Sequence, residues 1–387
     1  MSSSSGNFLL SFTEEQLMIQ ENIRDFAEQK VQPVVMEFDE KQEFQHDLMR
    51  ELGEMGYLGI LVPQEYGGSG LGYTEFVIVV EELAKVDPSL ALSVAAHNGL
   101  CTNHILVNGS EAQKKKYLPD LATGKKIGMW GLTESFSGSD AAAMRTTAKK
   151  EADKYILNGS KNFITHASVG QTAVVMAVSD ASKGKKGISA FILEKGMSGF
   201  STGKKENKLG MRASDTAQLI FDNCSVPAEN LIGTEGEGFI QTMKILEGGR
   251  ISIAALSVGL AEGALLNSVK YSGERQQFGK PINSFQAIQF KLADMAVGIE
   301  ASRLLTYKAA WLKDNQKPIM HDAAIAKLFS SETAEKCAIE AVQIFGGYGF
   351  TKDYPVEKFY RDVKLLTIGE GTSEVQRLVI ARKFLQE

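Results

Sequence analysis

Between residues 14 and 122, apolar side chains return every three or four positions in five stretches: 14–31, 47–55, 74–85, 88–107 and 111–122. Gly and Pro separate them, so the spacing predicts helices. From about 126 to 235 the pattern shortens to β-type runs at 155–157, 172–178, 187–193 and 218–221, with turns rich in Gly, Lys, Asp and Asn, such as 183–187. Long helical periods then return at 238–273, 284–314, 318–345 and 373–385. In the second of these, Ile288, Leu292, Met295 and Ile299 fall at i, i+4, i+7 and i+11, the single stripe of a bundle helix. The expected fold is α+β. An N-terminal α-helical domain over 8–125 leads to a middle, largely antiparallel β domain over 126–235 and a C-terminal four-helix bundle over 236–387. No internal repeat is visible.

Composition narrows the function. A chain of 387 residues that is 43% hydrophobic can fill two or three cores. A net charge of −5, with only short lysine clusters such as Lys114 to Lys116, argues against nucleic acid as a partner. Cys101, Cys224 and Cys337 are too few and too far apart for a disulfide framework or a CxxC metal site, which points to a reducing compartment. His46, His97, His104, His166 and His321 show no metal-ligand spacing, so no metal is expected. No uninterrupted apolar run approaches 18 residues, so no membrane insertion is expected. Met1 to Asn7 is polar and reads as a leader or a cloning remnant. The glycines at 67–72 and 273–281 match neither GxGxxG nor a P-loop, which disfavours NAD(P) and ATP.

The stretch Ile368-Gly369-Glu370-Gly371-Thr372-Ser373-Glu374-Val375-Gln376-Arg377 carries the chemistry. It holds one carboxylate between two glycines just before a helix, and Ser373 with Gln376 reads as the capping box of that helix. A glutamate so placed is either a solvated loop residue or a presented general base. Four other stretches carry weaker signals. Met129 to Asp140 sets the hydroxyls of Thr133 and Ser139 around a turn, suited to a ring carbonyl and a phosphate or to a plain polar turn. Asn158 to Thr165 reads as a tight turn into a strand, with Phe163 either covering a flat ring or filling the core. Arg275-Gln276-Gln277-Phe278-Gly279-Lys280-Pro281, with Phe285-Gln286 after it, puts a guanidinium in a loop before a helix. Gln343-Ile344-Phe345-Gly346-Gly347-Tyr348-Gly349 ends another helix with glycines.

In this order and at these separations, the five stretches resemble the acyl-CoA dehydrogenase family from about residue 10 to the C-terminus, most closely its short-chain, butyryl-CoA type members. The resemblance implies an FAD enzyme that oxidises a short or branched short acyl-CoA to the trans-2-enoyl-CoA and passes electrons to an electron-transferring flavoprotein. Glu370 would be the base, and its backbone N–H, with a ribityl hydroxyl of FAD, would polarise the thioester carbonyl. Leu132, Thr133, Ser139, Phe163, Ile164, Thr165, Thr372 and Glu374 would meet FAD. Arg275, Gln286, Gln343, Gly346 and Gly347 would reach the FAD of a neighbouring subunit in a homotetramer built as a dimer of dimers. Ser139, Glu247, Arg250 and Gly371 would contact substrate.

Several positions depart from the family's pattern. Gly249 stands where one family variant carries its base, immediately before Arg250, so the C-terminal loop is the expected source. Ser135-Phe136 replaces Pro-Gly or Pro-Asn, Gly369 a frequent Tyr, Glu247 a usual Asp and His166 a common Asn. His166 is either a satisfied strand-end histidine or a group that tunes the flavin. Arg250 borders the active site or makes a structural salt bridge. The 93–101 segment lines the acyl tail or serves helix packing. An O2-using oxidase and a non-catalytic acyl-CoA or nucleic-acid binding relative are the alternatives. A bacterial cytoplasm and, after processing, a mitochondrial matrix both fit.

Overall fold

The computed structural model describes residues 10–385, so the reading of Met1 to Asn7 lies outside the described residues. Seven helices come first: α1 (Glu14–Phe26), α2 (Val35–Lys41), α3 (His46–Glu54), α4 (Tyr73–Ala84), α5 (Pro88–Ala96), α6 (Asn103–Asn108) and α7 (Glu111–Ala122). The continuous helix expected over 88–107 is divided by a π-helical turn at His97–Thr102. Helix α2 was not expected. It is only 7 residues long, too short for a helical period to stand out. Thr13 caps α1 and Ser110 caps α7, each with a Gln three residues on that returns the hydrogen bond.

The middle of the chain forms β1 (Gly128–Gly131), β2 (Thr147–Glu151), β3 (Lys154–Thr165), β4 (Thr172–Val178), β5 (Ile188–Glu194), β6 (Phe200–Thr202), β7 (Thr216–Pro227) and β8 (Leu231–Ile232). They lie in the order β6-β7-β3-β2-β4-β5-β8, with β1 on β4. Pairing is antiparallel except for β1 with β4 and the single β2–β4 register. Alternation decides which side each residue buries. Along β4, Val174 and Met176 join the core under α6 and α7, while Ala173, Val175 and Ala177 join the core on the other face. The tight turn expected at Asn158-Gly159 is absent. Strand β3 runs straight through it against β7, and the glycine marks a register shift between Leu157 and Gly159.

Beyond the sheet come α8 (Gly238–Glu274), the hairpin β9 (Gln276–Gln277) and β10 (Lys280–Pro281), then α9 (Gln286–Asp314), α10 (Met320–Phe345), α11 (Val356–Asp362) and α12 (Ser373–Leu385). The expected stripe on α9 faces inward: Met295 and Ile299 are buried, and Ile288 and Leu292 pack against the same core. Helix α8 contains a window long and apolar enough, by length and composition, to cross a membrane, which a search for uninterrupted apolar runs passes over. That window is 78% buried inside the protein, the mark of a core helix. One core joins the N-terminal helices to the bundle, with Phe76, Val77 and Val80 of α4 among Ile251, Ala255 and Val258 of α8.

Candidate active site

Glu370 lies on the link between a 3-10 turn, Val363–Thr367, and α12. Its φ is +52°, a left-handed conformation rare for a residue with a β-carbon. Gly371 continues the turn at φ +96°, where a β-carbon would also press on the Gln376 amide at 2.7 Å. The cap of α12 differs from expectation. Thr372, not Ser373, receives the Val375 N–H, at 3.4 Å. The Gln376 side chain turns back instead to donate to the carbonyls of Glu370 (3.3 Å) and Gly371 (2.9 Å). Lys327 of α10 donates to the same Gly371 carbonyl at 2.8 Å. The turn that carries Glu370 is thus held from two helices.

The Glu370 carboxylate reaches across to α8. A β-carbon at Gly249 would overlap Glu370 Oε2, and one at Gly248 would overlap the Tyr73 hydroxyl. Two consecutive glycines therefore open a notch in the helix, filled by a carboxylate and a phenol. Asn103 donates to the Tyr73 oxygen at 3.1 Å. Glu370 Oε2 is buried without a hydrogen-bond partner. Burial raises this carboxyl to about 7, against the downward pull of the Lys327 and Arg250 charges. Arg250 Nε and Nη1 are likewise buried without a partner, so the alternative of a structural salt bridge does not describe these atoms. Glu247 lies one turn before on α8, and its charge raises Arg250 against the lowering effect of burial.

A second group forms on the sheet. The Asn162 N–H donates to the Thr133 carbonyl at 2.8 Å, which joins the turn after β1 to the end of β3. Lys161 and Glu134 make a buried ion pair at 2.7 Å, and Lys161 also donates to the Leu132 carbonyl at 3.1 Å. These contacts fix both segments. Phe163 then stands 64% exposed at φ +58°, beside the buried and unpartnered Asn162 Oδ1. The side chains of Leu132 and Ile164 are buried in the two sheet cores; Thr133 and Thr165 are half-buried and Ser139 is exposed. A Glu134–Ser137 bridge closes the Ser135-Phe136 turn, and the Arg145 guanidinium lies 4.8 Å from the Phe136 ring centre.

His166, at φ +66°, is fully buried, and its Nδ1 lies 3.0 Å from the Gly128 carbonyl. His97 accepts the Gly128 N–H at 3.0 Å. Burial lowers both rings to about 4. His166 Nε2 has no partner, so the histidine is satisfied only on one side. Residues 93–101 are mostly committed to packing: Ser93 donates to Ser89, and Asn98 to the carbonyls of Tyr57 and Val94.

The third group lies at the far end of α8. Arg275, Gly346 and Gly347 line one cleft of ≈ 470 Å³ with Tyr271, Gln277 and Tyr348. Gly346 ends α10 at φ +60° with open space where a side chain would stand. Gln343 is exposed one turn earlier, and Gln286 is exposed at the first position of α9. The expected loop after Arg275 is a hairpin with Phe278 92% exposed at its tip. Among the described residues no group of three His, Cys, Asp or Glu is placed to hold a metal ion.

Models of the N-terminal, middle and C-terminal acyl-CoA dehydrogenase domains match residues 13–125, 130–224 and 236–385. The chain belongs to the acyl-CoA dehydrogenase family. It is 49% identical over 376 residues to the short-chain specific acyl-CoA dehydrogenase of Clostridium acetobutylicum, covering 97% of this chain and 99% of that protein. Butyryl-CoA dehydrogenase from Megasphaera elsdenii superposes with a TM-score of 0.96 at 46% identity, over 98% of this chain and 100% of that one. A chain from the structure of the electron transferring flavoprotein of Acidaminococcus fermentans reaches 0.97 at 50% identity, again over 98% and 100%. In this member of the acyl-CoA dehydrogenase family, sequence reasoning missed Tyr73, Asn103 and Lys327 around Glu370. Lys327 had a readable signal, since it interrupts the small-residue face formed by Ala323, Ala324, Ser330, Ser331 and Ala334.

Proposed function

We propose that this acyl-CoA dehydrogenase oxidises a short-chain acyl-CoA to the trans-2-enoyl-CoA, with Glu370 as the base. The observation that carries the reading is the Glu370 carboxylate itself: buried, unpartnered at Oε2 and seated in the Gly249 notch. Burial holds its proton affinity near neutrality, where a base both exists ionised and accepts a proton readily. The α C–H bond breaks with its proton going to Glu370, while the β C–H bond breaks as a hydride and the C=C bond forms. The backbone N–H of Glu370 polarises the thioester carbonyl. The likeness to a short-chain specific acyl-CoA dehydrogenase and to a butyryl-CoA dehydrogenase supports a short acyl group.

The chain's residues fit FAD as the resident cofactor, which supplies the hydride acceptor when bound. The exposed Phe163 suits a flat ring, and the buried, unpaired Asn162 Oδ1 lacks only a donor. Thr133, Ser139, Thr165 and the backbones of Leu132 and Ile164 would hold the ring end, and Thr372 and Glu374 the adjoining phosphates. Arg275, in its cleft with Gly346 and Gly347, offers a guanidinium to a pyrophosphate; Gln286 and Gln343 flank it. Those bundle-end residues would serve the cofactor of a neighbouring subunit. Helix α9 supports such an assembly, because Phe290, Val297 and Leu304, seven residues apart, are all exposed on one face. Ser139, Glu247, Arg250 and Gly371 would border the thioester, and an electron-transferring flavoprotein would take up the electrons.

Anaerobic titration of the holoenzyme with butyryl-CoA, followed by flavin absorbance, tests the reading. Wild type should bleach. Glu370→Gln should bind the thioester and bleach at least about 10²-fold more slowly; a variant within tenfold of wild type would refute the base. Because Glu370 works ionised, kcat/KM should fall as pH drops through about 7.

A further inference from the structure

Lys327 is a buried cation in a place where a neutral side chain would pack as well. It sits at mid-length in α10 among small buried residues, with none of its side chain reaching solvent. Removing an ammonium from water costs several kcal/mol, and an apolar residue of like volume is often at least as stabilising at such a position. Its ammonium donates to the carbonyl of Gly371, the residue after Glu370. The charged groups around it are Glu370, Arg250, Glu374 and Glu332. Glu374 is exposed, and Glu332 pairs with Arg377 at 2.7 Å. Glu370 is therefore the buried anion left to answer Lys327. Around Glu370 itself stand Lys327, Arg250 and the Tyr73 phenol, which burial keeps protonated well above its ordinary range.

We propose that Lys327 is the positioning residue of the base: its hydrogen bond to Gly371 fixes the left-handed turn that aims Glu370 into the Gly249 notch, and its charge favours the ionised carboxylate. The inference rests on the reading of Glu370 as base. Burial lowers Lys327 to about 8 and raises Glu370 to about 7, and the charge of each opposes the shift of the other. The competing account is a mechanical tether between α10 and the loop, with no influence on proton affinity.

The two accounts separate in holoenzymes carrying Lys327→Met, Lys327→Gln and Lys327→Arg. Removing the positive charge raises the Glu370 carboxyl, so the acid limb of kcat/KM for butyryl-CoA should move to higher pH by about one unit in the Met and Gln variants. The Arg variant should restore the wild-type limb. The infrared band of the protonated carboxyl, assigned by its absence in Glu370→Gln, should titrate with the same shift and needs no turnover. Should Lys327→Met fail to fold, Lys327→Gln keeps an amide donor for the Gly371 carbonyl and removes only the charge. An unmoved acid limb and an unmoved infrared band, with only the melting temperature lowered, would overturn the proposal. If Glu370→Gln instead remained active, the base assignment would fall, while the infrared titration would still decide whether Lys327 governs that carboxyl.

Discussion

The notch at Gly249 ties the identity of one residue to the position of another 121 places later in the chain. Gly249→Ala makes this testable without unfolding the protein. Alanine is favoured over glycine inside a helix by about 1 kcal/mol, which offsets part of the overlap with Glu370 Oε2. The carboxylate must then withdraw, and a displacement near 1 Å can cost on the order of 10²-fold in rate. The expected result is a melting temperature close to wild type with kcat/KM reduced by about that factor; kinetics within threefold of wild type would show that the notch does not set the base. The flanking glycines made Glu370 legible as a candidate in the sequence, and the family pattern marked Gly249 as the other place a base can stand. That both positions share one point in space was not legible, since no periodicity relates a loop to a helix so far upstream. Thr372 replaced Ser373 as the cap for a similar reason: two adjacent hydroxyls offer the same sequence signal, and backbone direction chooses between them.

Elements are held by charge as well as by apolar packing. Lys358 of α11 is fully buried and bonds Asp87 at 2.8 Å and Asp362 at 2.6 Å, while Asp87 caps α5 through Ser89 and accepts from Gln45. Asp362 also accepts the Met211 N–H. One ammonium thus links α11 to the start of α5, to the entry of α3 and to the segment before β7. Lys358→Met leaves two carboxylates without their cation and should cost about 3–5 kcal/mol, seen as a lower denaturant midpoint at neutral pH. A midpoint equal to wild type would mean that the aspartates find other partners. Long helices such as α8, α9 and α10 were readable because their period repeats over seven or more turns. Helices α2 and α11, and strands β1, β2, β6 and β8, are too short to carry a period above chance, and tertiary pairing decides them.

At the scale of the whole molecule, the exposed row on α9 is the feature that a single chain leaves unsatisfied. Val297 is 71% exposed between Phe290 and Leu304. Replacing Val297 and Phe290 with Lys should leave the helical signal intact but lower the mass measured by light scattering below that of wild type; an unchanged mass would locate the assembly face elsewhere. The α, β, α order of the chain was legible, because each part has its own hydrophobic texture. That the two helical parts share one core was not. Helix α4 is buried along nearly its whole length, and much of what covers it comes from α8 and α9. On a ribosome, α4 is complete about 150 residues before α8 begins, a delay on the order of ten seconds at ordinary elongation rates. Throughout that interval Phe76, Val77 and Val80 have only the packing that the N-terminal helices supply, and the nascent chain presents the face meant for α8 and α9 to whatever chaperone stands at the exit tunnel.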